Sequence, residues 1–355
     1  MLVLVLNPGA TSTKIAIFEE EKELFRKNIE HNTEALKEYP RIIDQADCRQ
    51  DLILSTLKDA GYTPGQFDAV CGRGGLYRAI PSGTYRVSDA VMQDVEAAPF
   101  GEHASNLGAY LARRIADTAG IPSYFVDPVC VDEMSDLAHY TGFAPMRRLC
   151  QFHALNQKAV ARKAASQLGL PYEEARLIVC HLGGGVSVAA HKYGRVVDVF
   201  NVKDEGSMGL DRAGGLPVNA LVDYCFSGLS KSEVKRKLGR EAGVFSYLGT
   251  TDFREITGKV RSRDPEFSQV YEALVYQLSK DIGAMAAVLS FQVDAIVYTG
   301  GMAFDEQFCD DISARVAPIA PIIRLPGEEE MRSLAEGALR VLHGEPAKNY
   351  EEELR

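Results

Sequence analysis

The chain has 355 residues, is 46% hydrophobic and 25% charged, and carries a formal charge of −10. That length accommodates two domains with substantial cores, and the composition is that of an ordinary globular protein. An acidic balance with no basic field argues against nucleic acid as a partner, and no segment approaches the roughly 20 apolar residues of a membrane span. The apolar opening Met1–Leu6 stops at Asn7-Pro8 without a basic flank, unlike a secretory signal. Seven cysteines (48, 71, 130, 150, 180, 225 and 309) form no C-x-x-C pair, so buried reduced thiols in a cytoplasmic protein are expected.

Leu2–Phe18 reads LVLVLNPGATSTKIAIF: an aliphatic run, a loop of Gly and small residues, then an alternating second run. Such a unit reads as a β-hairpin. Backbone N–H groups around Gly9 and the hydroxyls of Thr11, Ser12 and Thr13, with Lys14 beyond, can form an anion-binding concavity; a plain turn is the alternative. The spacing is not that of a P-loop. Phe67–Val70 leads into CGRGGLYRAIPSGTYRV, whose glycines flank Arg73. A helix is expected over Ala104–Ala119, then a strand around Asp127, a metal or Arg partner, with Asp132 and Glu133 capping the next helix.

Phe152–Leu168 reads as a helix, and Leu177–His191 (LIVCHLGGGVSVAAH) repeats the first hairpin. Three consecutive glycines, Gly183, Gly184 and Gly185, are hard to justify unless backbone lies against something, and a ligand is expected there. Arg212 also sits beside glycines, where a guanidinium can reach phosphoryl or carboxylate oxygens. A long helix is expected over Phe267–Leu289. The strand VDAIVYTGG then ends at Gly300-Gly301, where a flat ring or ribose could pack, or the chain could simply turn. The last helix, EEEMRSLAEGALRVLHG, precedes KNYEEELR, which reads as a solvated tail. His103, His153 and His181 lie at element ends, as structural or functional residues. No G-x-G-x-x-G is present, which disfavours a dinucleotide site. Hairpin, sheet and helix occur twice, predicting an α/β protein of two related lobes with a boundary near Met146–Leu149.

Taken in order, NPGATSTK, GRGGLYRAI-PSGTYRV, GEHASNLGA, VDPVCVDEM, FHALNQKAVAR, HLGGGVSVAAH, YLGTTDFREI, YTGGMA and PGEEE resemble the acetate and butyrate kinase family. These are acyl-phosphate-forming members of the sugar kinase, heat-shock 70 and actin superfamily. GRGGL, EHASNLGA and FHALNQKA are similar to the butyrate branch. The resemblance implies two duplicated actin-like, ribonuclease H-like ATPase lobes with a central nucleotide cleft. Residues 1–148 would form the N-terminal lobe, with the C-terminal helix region 328–355 packing back on it, and 149–327 the nucleotide-binding lobe. It implies reversible, direct in-line transfer of phosphate from ATP, with Mg²⁺, to butanoate, giving butanoyl phosphate and ADP.

By the same resemblance, Asn7, Ser12 and Lys14 form one phosphate loop, and His181 with Gly183, Gly184 and Gly185 the other. Arg73, His103 and Arg212 surround the transferring phosphoryl group. Asp127 and Glu330 hold or orient Mg²⁺ with Asn7, the metal carboxylate lying within Glu328–Glu330. Asp252, Phe253 and Arg254 meet the adenosine with Gly300 and Gly301. Gly74 and Gly75, standing where acetate kinases carry bulkier aliphatics, are expected to open an acyl pocket that includes His103 and Asn156. The stretch NVKDEGSMGLDRAGG departs from the family's pattern, though Arg212 still aligns; Gln157 stands where acetate kinases place a second His. A carboxylate is already deprotonated at neutral pH, so no general base is needed, and catalysis reduces to positioning and charge stabilisation. The alternatives are an acetate, propionate or branched-chain acid kinase, or a non-catalytic nucleotide-binding regulator. A homo-oligomer is expected.

Overall fold

A computed structural model describes residues 1–353; Leu354 and Arg355, the end of the expected tail, lie outside the described residues. The chain runs β1 (Leu2–Pro8), β2 (Ser12–Glu19), β3 (Lys22–Glu30), α1 (Thr33–Lys37), α2 (Ala46–Asp59), β4 (Ala69–Arg73), β5 (Thr84–Arg86), α3 (Asp89–Ala97), α4 (Asn106–Asp117) and β6 (Ser123–Val126). It continues α5 (Ala154–Gln167), β7 (Arg176–Leu182), β8 (Val186–Lys192), β9 (Arg195–Phe200), α6 (Val218–Cys225), α7 (Lys231–Arg240), α8 (Gly243–Leu248), α9 (Phe253–Arg261) and α10 (Pro265–Val288). It ends β10 (Ala295–Thr299), α11 (Glu306–Val316), β11 (Ile322–Arg324) and α12 (Glu330–Leu342). Among the described residues no helix is long and apolar enough to cross a membrane.

Two compact units result: Met1–Asp132 with the chain from Glu329 onward, and Glu133–Glu328. The first has a sheet in the order β3-β2-β1-β4-β6-β5, the second β11-β10-β7-β8-β9. Each begins as an antiparallel meander (β1–β3, β7–β9) whose first strand then pairs in parallel with a later one, β4 or β10. The twin hairpins of the sequence are these two meanders. Their first strands are buried along both faces, and so read as unbroken aliphatic runs. In the first unit α4 covers β1, β4 and β6, and α12 packs on β1, β2, β4, β5 and β6. In the second, α10 lies on β7, β8 and β9, while α5 packs on β7 and β10.

The division falls at Asp132/Glu133 rather than near residue 148. Glu133 caps no α-helix. Its carboxylate, almost fully buried, pairs with Lys158 of α5 and accepts the Val196 N–H of β9 (3.0 Å). Ser135 N–H reaches Val197 O (3.0 Å), and Arg148 bonds Asp198 and Glu205. Residues 133–148 are thereby sewn to the second sheet by polar contacts that apolar patterning does not reveal. Removing one partner of a buried pair strands the other charge. Lys158→Met is expected to destabilise the protein by about 3 kcal/mol in urea unfolding.

The expected solvated tail is instead anchored. Tyr350 is fully buried; its hydroxyl donates to Asp94 (2.7 Å) and accepts the Arg78 N–H (2.9 Å), and its ring meets Tyr77 and Phe125 edge-on. One aromatic outweighs the polar residues around it. Among the described residues no cysteine forms a disulfide; Cys71, Cys150, Cys180 and Cys309 are buried, Cys48 and Cys130 are intermediate, and Cys225 on α6 is exposed.

Candidate active site

In the first unit, parallel pairing of β1 with β4 sets Asn7 and Arg73 at neighbouring strand ends. Glu330, the first residue of α12, completes a cluster. Its carboxylate accepts from Asn7 Nδ2 (2.8 Å) and lies 2.9 and 3.1 Å from Arg73 Nη1, which also donates to Asn7 Oδ1 (3.2 Å). The hairpin register places Lys14 opposite Asn7, on the same face, and Gly9 N–H closes the turn on Ser12 O (2.7 Å). A carboxylate and an amide oxygen are hard donors, and Mg²⁺ is commonly held by one or two such groups plus water and phosphate. Asn7 and Glu330 therefore fit the expected metal.

Asp127 and His103 have local duties. Asp127 directly follows β6 with φ +38°, and its Oδ1 accepts from Ser82 Oγ (2.5 Å) and Gly83 N–H (2.8 Å). A left-handed conformation in a non-glycine residue stores strain of the kind found at functional sites. His103 precedes α4, and its Nδ1 lies 2.8 Å from Ser105 Oγ and accepts the Ser105 N–H (3.2 Å).

Gly74 and Gly75 do not leave open the space their missing side chains would take. A Cβ on Gly74 would lie 2.4 Å from Pro128 Cβ; one on Gly75 would lie 2.2 Å from Asn106 Oδ1 and 2.6 Å from its N and Cα. These glycines let α4 and the turn after β6 close upon the chain after β4.

In the second unit His181 is the next-to-last residue of β7, and a Cβ on Gly183 would stand 3.0 Å from its Nε2. Its Nδ1 meets Asn156 Oδ1 (2.8 Å) and its Nε2 lies 2.9 Å from Glu328 Oε1. The Asn156 amide nitrogen turns to Thr299 Oγ1 (3.3 Å) and Gly327 O (3.4 Å), so its oxygen must be the acceptor and His181 Nδ1 the donor. Asn156 is buried and spent on these bonds, which makes it a support for His181 rather than a pocket wall. His153 stacks on His181, with ring centres 3.6 Å apart and planes 11° from parallel.

Arg212 accounts for Gly185. A Cβ there would lie 2.4 Å from Nη1 and 2.9 Å from Cζ of the guanidinium, which rests directly on the glycine backbone and donates to Val202 O (3.3 Å). The Arg212 loop is tied to the glycine loop by Leu210 N–H to Gly184 O (3.1 Å). Nothing would meet a Cβ at Gly184. At its far side the loop hangs on α10: Ser207 N–H donates to Asp281 (2.6 Å) and Met208 N–H to Gln277 (2.9 Å). These four residues border a cavity of about 630 Å³ that holds none of the expected site residues.

Burial pushes the Asp281 carboxyl up to about 6 from 3.8, against the opposing effects of the Ser207 bonds and Lys280. The folded chain therefore holds this proton more tightly than the unfolded one. Its contribution to stability is greatest below about pH 4 and declines by about 3 kcal/mol as pH rises to about 6. An amide can still accept from Ser207 without a charge to desolvate. Asp281→Asn is expected to abolish that decline and to stabilise the protein by about 2 kcal/mol at neutral pH in urea unfolding. A less stable variant at neutral pH would contradict this reading.

A second cavity, about 430 Å³, is lined by Asp252, Phe253, Arg254, Gly301, Phe304 and neighbours, which brings most of the expected adenosine residues together. Asp252 also caps α9, accepting the Arg254 N–H (2.9 Å), and Phe253 packs edge-on against Phe308. Gly300 does not line this cavity; it is there for the backbone. At φ +87°, its Cβ would fall 2.4 Å from Leu182 O.

The acetokinase family model matches residues 139–316. Butyrate kinase 1 of Clostridium acetobutylicum is 46% identical over 98% of this chain and 99% of its own length. The chain belongs to the acetokinase family. Among solved structures, acetate kinase from Porphyromonas gingivalis superposes with a TM-score of 0.79 at 21% identity, covering 96% of this chain and 99% of its own. A propionate kinase from Francisella tularensis does so at 0.72 and 18%, covering 95% and 98%. The fold of this acetokinase is the two-lobed α/β architecture of acetate and sugar kinases. It is an enzyme, an ATP-dependent kinase acting on a short-chain carboxylate.

Several site residues of this acetokinase escape sequence reasoning. Glu328, the second partner of His181, sits among three glutamates of equal appearance. Asp281 and Gln277 are one helical turn apart on α10, a spacing shared with many solvated pairs. Their apolar surroundings are the only sequence signal that they face inward.

Proposed function

We propose that this acetokinase phosphorylates butanoate with ATP and Mg²⁺, reversibly, forming butanoyl phosphate. The observation that carries the choice of acid is the whole-length likeness, at 46% identity, to a butyrate kinase. A carboxylate oxygen attacks the γ-phosphorus; the new O–P bond forms as the bond to the ADP oxygen breaks, and no proton need be removed from the acceptor. Bound Mg²⁺ would neutralise charge on the phosphate oxygens. Asn7 and Glu330 would hold it, and Arg73 orients both. His181, aimed by Asn156, and Arg212, seated on Gly185, donate to the transferring group. Ser12, Lys14 and Gly183–Gly185 hold phosphates, Asp252–Arg254 and Gly301 the adenosine. Asp127 and His103 would act through the turns they stabilise.

Steady-state turnover with Mg²⁺-ATP across unbranched carboxylates from C2 to C5, read by trapping the acyl phosphate as hydroxamate, tests this. kcat/KM is expected to peak at C4. A peak at C2 or C3 would instead make it an acetate or propionate kinase, and no acyl phosphate at all would leave a nucleotide-binding regulator. A homo-oligomer belongs to the same reading, supported by the exposed apolar side chains Val218, Val222 and Phe226 at α6. Light scattering at micromolar concentration should return a multiple of 38.9 kDa.

A further inference from the structure

Behind His153 lies a line of buried polar groups that phosphoryl transfer does not require. His153 and Gln157 stand one turn apart at the start of α5, and Ser187 and His191 four residues apart on β8, hence on one face. Gln157, Ser187 and His191 are each 1% exposed or less, and Tyr172 is buried beyond them. Burial of so many polar atoms is tolerable only if every donor meets an acceptor.

The bonds admit one direction. Gln157 Nε2 lies 3.1 Å from Ser187 O, a backbone carbonyl that can only accept, so this end of the amide is the nitrogen. Its second hydrogen goes to Ser187 Oγ (2.9 Å). Gln157 Oε1 must then accept from His191 Nε2 (3.1 Å), which carries the ring's hydrogen. Burial, with Lys158 and Arg162 nearby, holds the His191 imidazole far below its usual range, so the ring is neutral and Nδ1 is bare. Nδ1 accepts the Tyr172 hydroxyl (2.8 Å). At the other end Ser187 Oγ, already an acceptor, turns its own hydrogen to His153 Nδ1 (2.9 Å). A hydroxyl hydrogen buried without an acceptor would cost about 1–3 kcal/mol.

We infer that Tyr172, His191, Gln157 and Ser187 form a one-way hydrogen-bond relay that holds His153 as the neutral Nε2–H tautomer stacked on His181, and that Gln157 is thereby a positioning residue for phosphoryl transfer. The relay keeps His153 uncharged and fixes the plane on which His181 rests, with ring centres 3.6 Å apart. Gln157 suits this task because an amide donates at one end and accepts at the other.

The tautomer does not depend on the proposed function; its kinetic consequence does, and the two are measured separately. In the full-length protein labelled with ¹⁵N-histidine, long-range ¹H–¹⁵N correlation spectra at neutral pH, assigned with His153→Gln, are expected to show His153 and His191 as neutral Nε2–H rings. A His153 ring hydrogen on Nδ1, or a cationic ring, overturns the relay in the wild type, with no variant needed. In Gln157→Met, which keeps volume and loses both polar ends, the His153 pattern is expected to become a tautomer mixture. kcat is expected to fall about tenfold to a hundredfold, with the KM for ATP within about twofold. Ser187→Ala, which removes the hydroxyl joining Gln157 to His153 and leaves Gln157 its bond to Ser187 O, should do the same. An unchanged His153 pattern in both variants overturns the relay. A changed pattern with unchanged kcat overturns the positioning role. The expected tautomers in a wild type that phosphorylates no carboxylate would uphold the relay and sink the proposed function instead.

Discussion

Arg212→Ala is expected to lower kcat by about 10³ while ATP continues to bind. The guanidinium lies against the Gly185 backbone, in the space a side chain there would fill, and its loop is held to the same glycine segment through Leu210 and Gly184. These anchors are backbone groups, with Gln277 and Asp281 holding the far side, so truncation at Arg212 leaves the loop in place. What disappears is a planar donor able to follow charge onto the phosphoryl oxygens as the transition state forms, an interaction that adds little to ground-state binding. Arg212→Lys restores the charge without the fork and should recover part of the loss. Steady-state kinetics paired with a nucleotide-binding titration separates the two effects. A fall below about tenfold would remove Arg212 from the transition state.

The second-unit site was half legible in the sequence, and the reason lies in what a residue pattern encodes. HLGGG announced that something must approach the backbone, because three glycines in a row need a cause. The structure supplies two such causes from the chain itself, the His181 ring beside Gly183 and Arg212 on Gly185, and leaves Gly184 open. The stretch before Arg212 departs from the family's pattern; Asp281 and Gln277 hold it from a helix about seventy residues away, a pairing no local pattern exposes. His153/Gln157 on a helix and Ser187/His191 on a strand each have a readable period. That the two pairs interlock depends on how α5 lies on the second sheet. The duplicated meanders were legible because alternation and aliphatic runs are local, whereas the polar stitching of residues 133–148 and the burial of Tyr350 are set by partners distant in sequence.

Gly75→Val is expected to destabilise the protein by about 4 kcal/mol or more, beyond the usual range for a point substitution. The resemblance to the acetate and butyrate kinases implies that the absent side chain opens room for a longer acid, so that valine would fill that room and shift preference toward acetate. What stands there is Asn106, whose Oδ1 would be 2.2 Å and whose backbone N and Cα would be 2.6 Å from the new Cβ. That oxygen also accepts the Leu76 N–H (2.8 Å), and its amide nitrogen donates to Gly101 O (2.9 Å), so Asn106 cannot swing aside without orphaning buried groups. Nor can α4 shift readily, since a Cβ on Gly108 would already meet Arg73 O at 2.2 Å. Strain therefore passes to the strand end that carries Arg73. Urea unfolding measures the loss, and a C2–C5 series on the fraction that folds should keep its chain-length order while kcat falls. A variant within about 1 kcal/mol of wild type that now prefers acetate would restore the pocket, and α4 would have to yield where its packing shows no room.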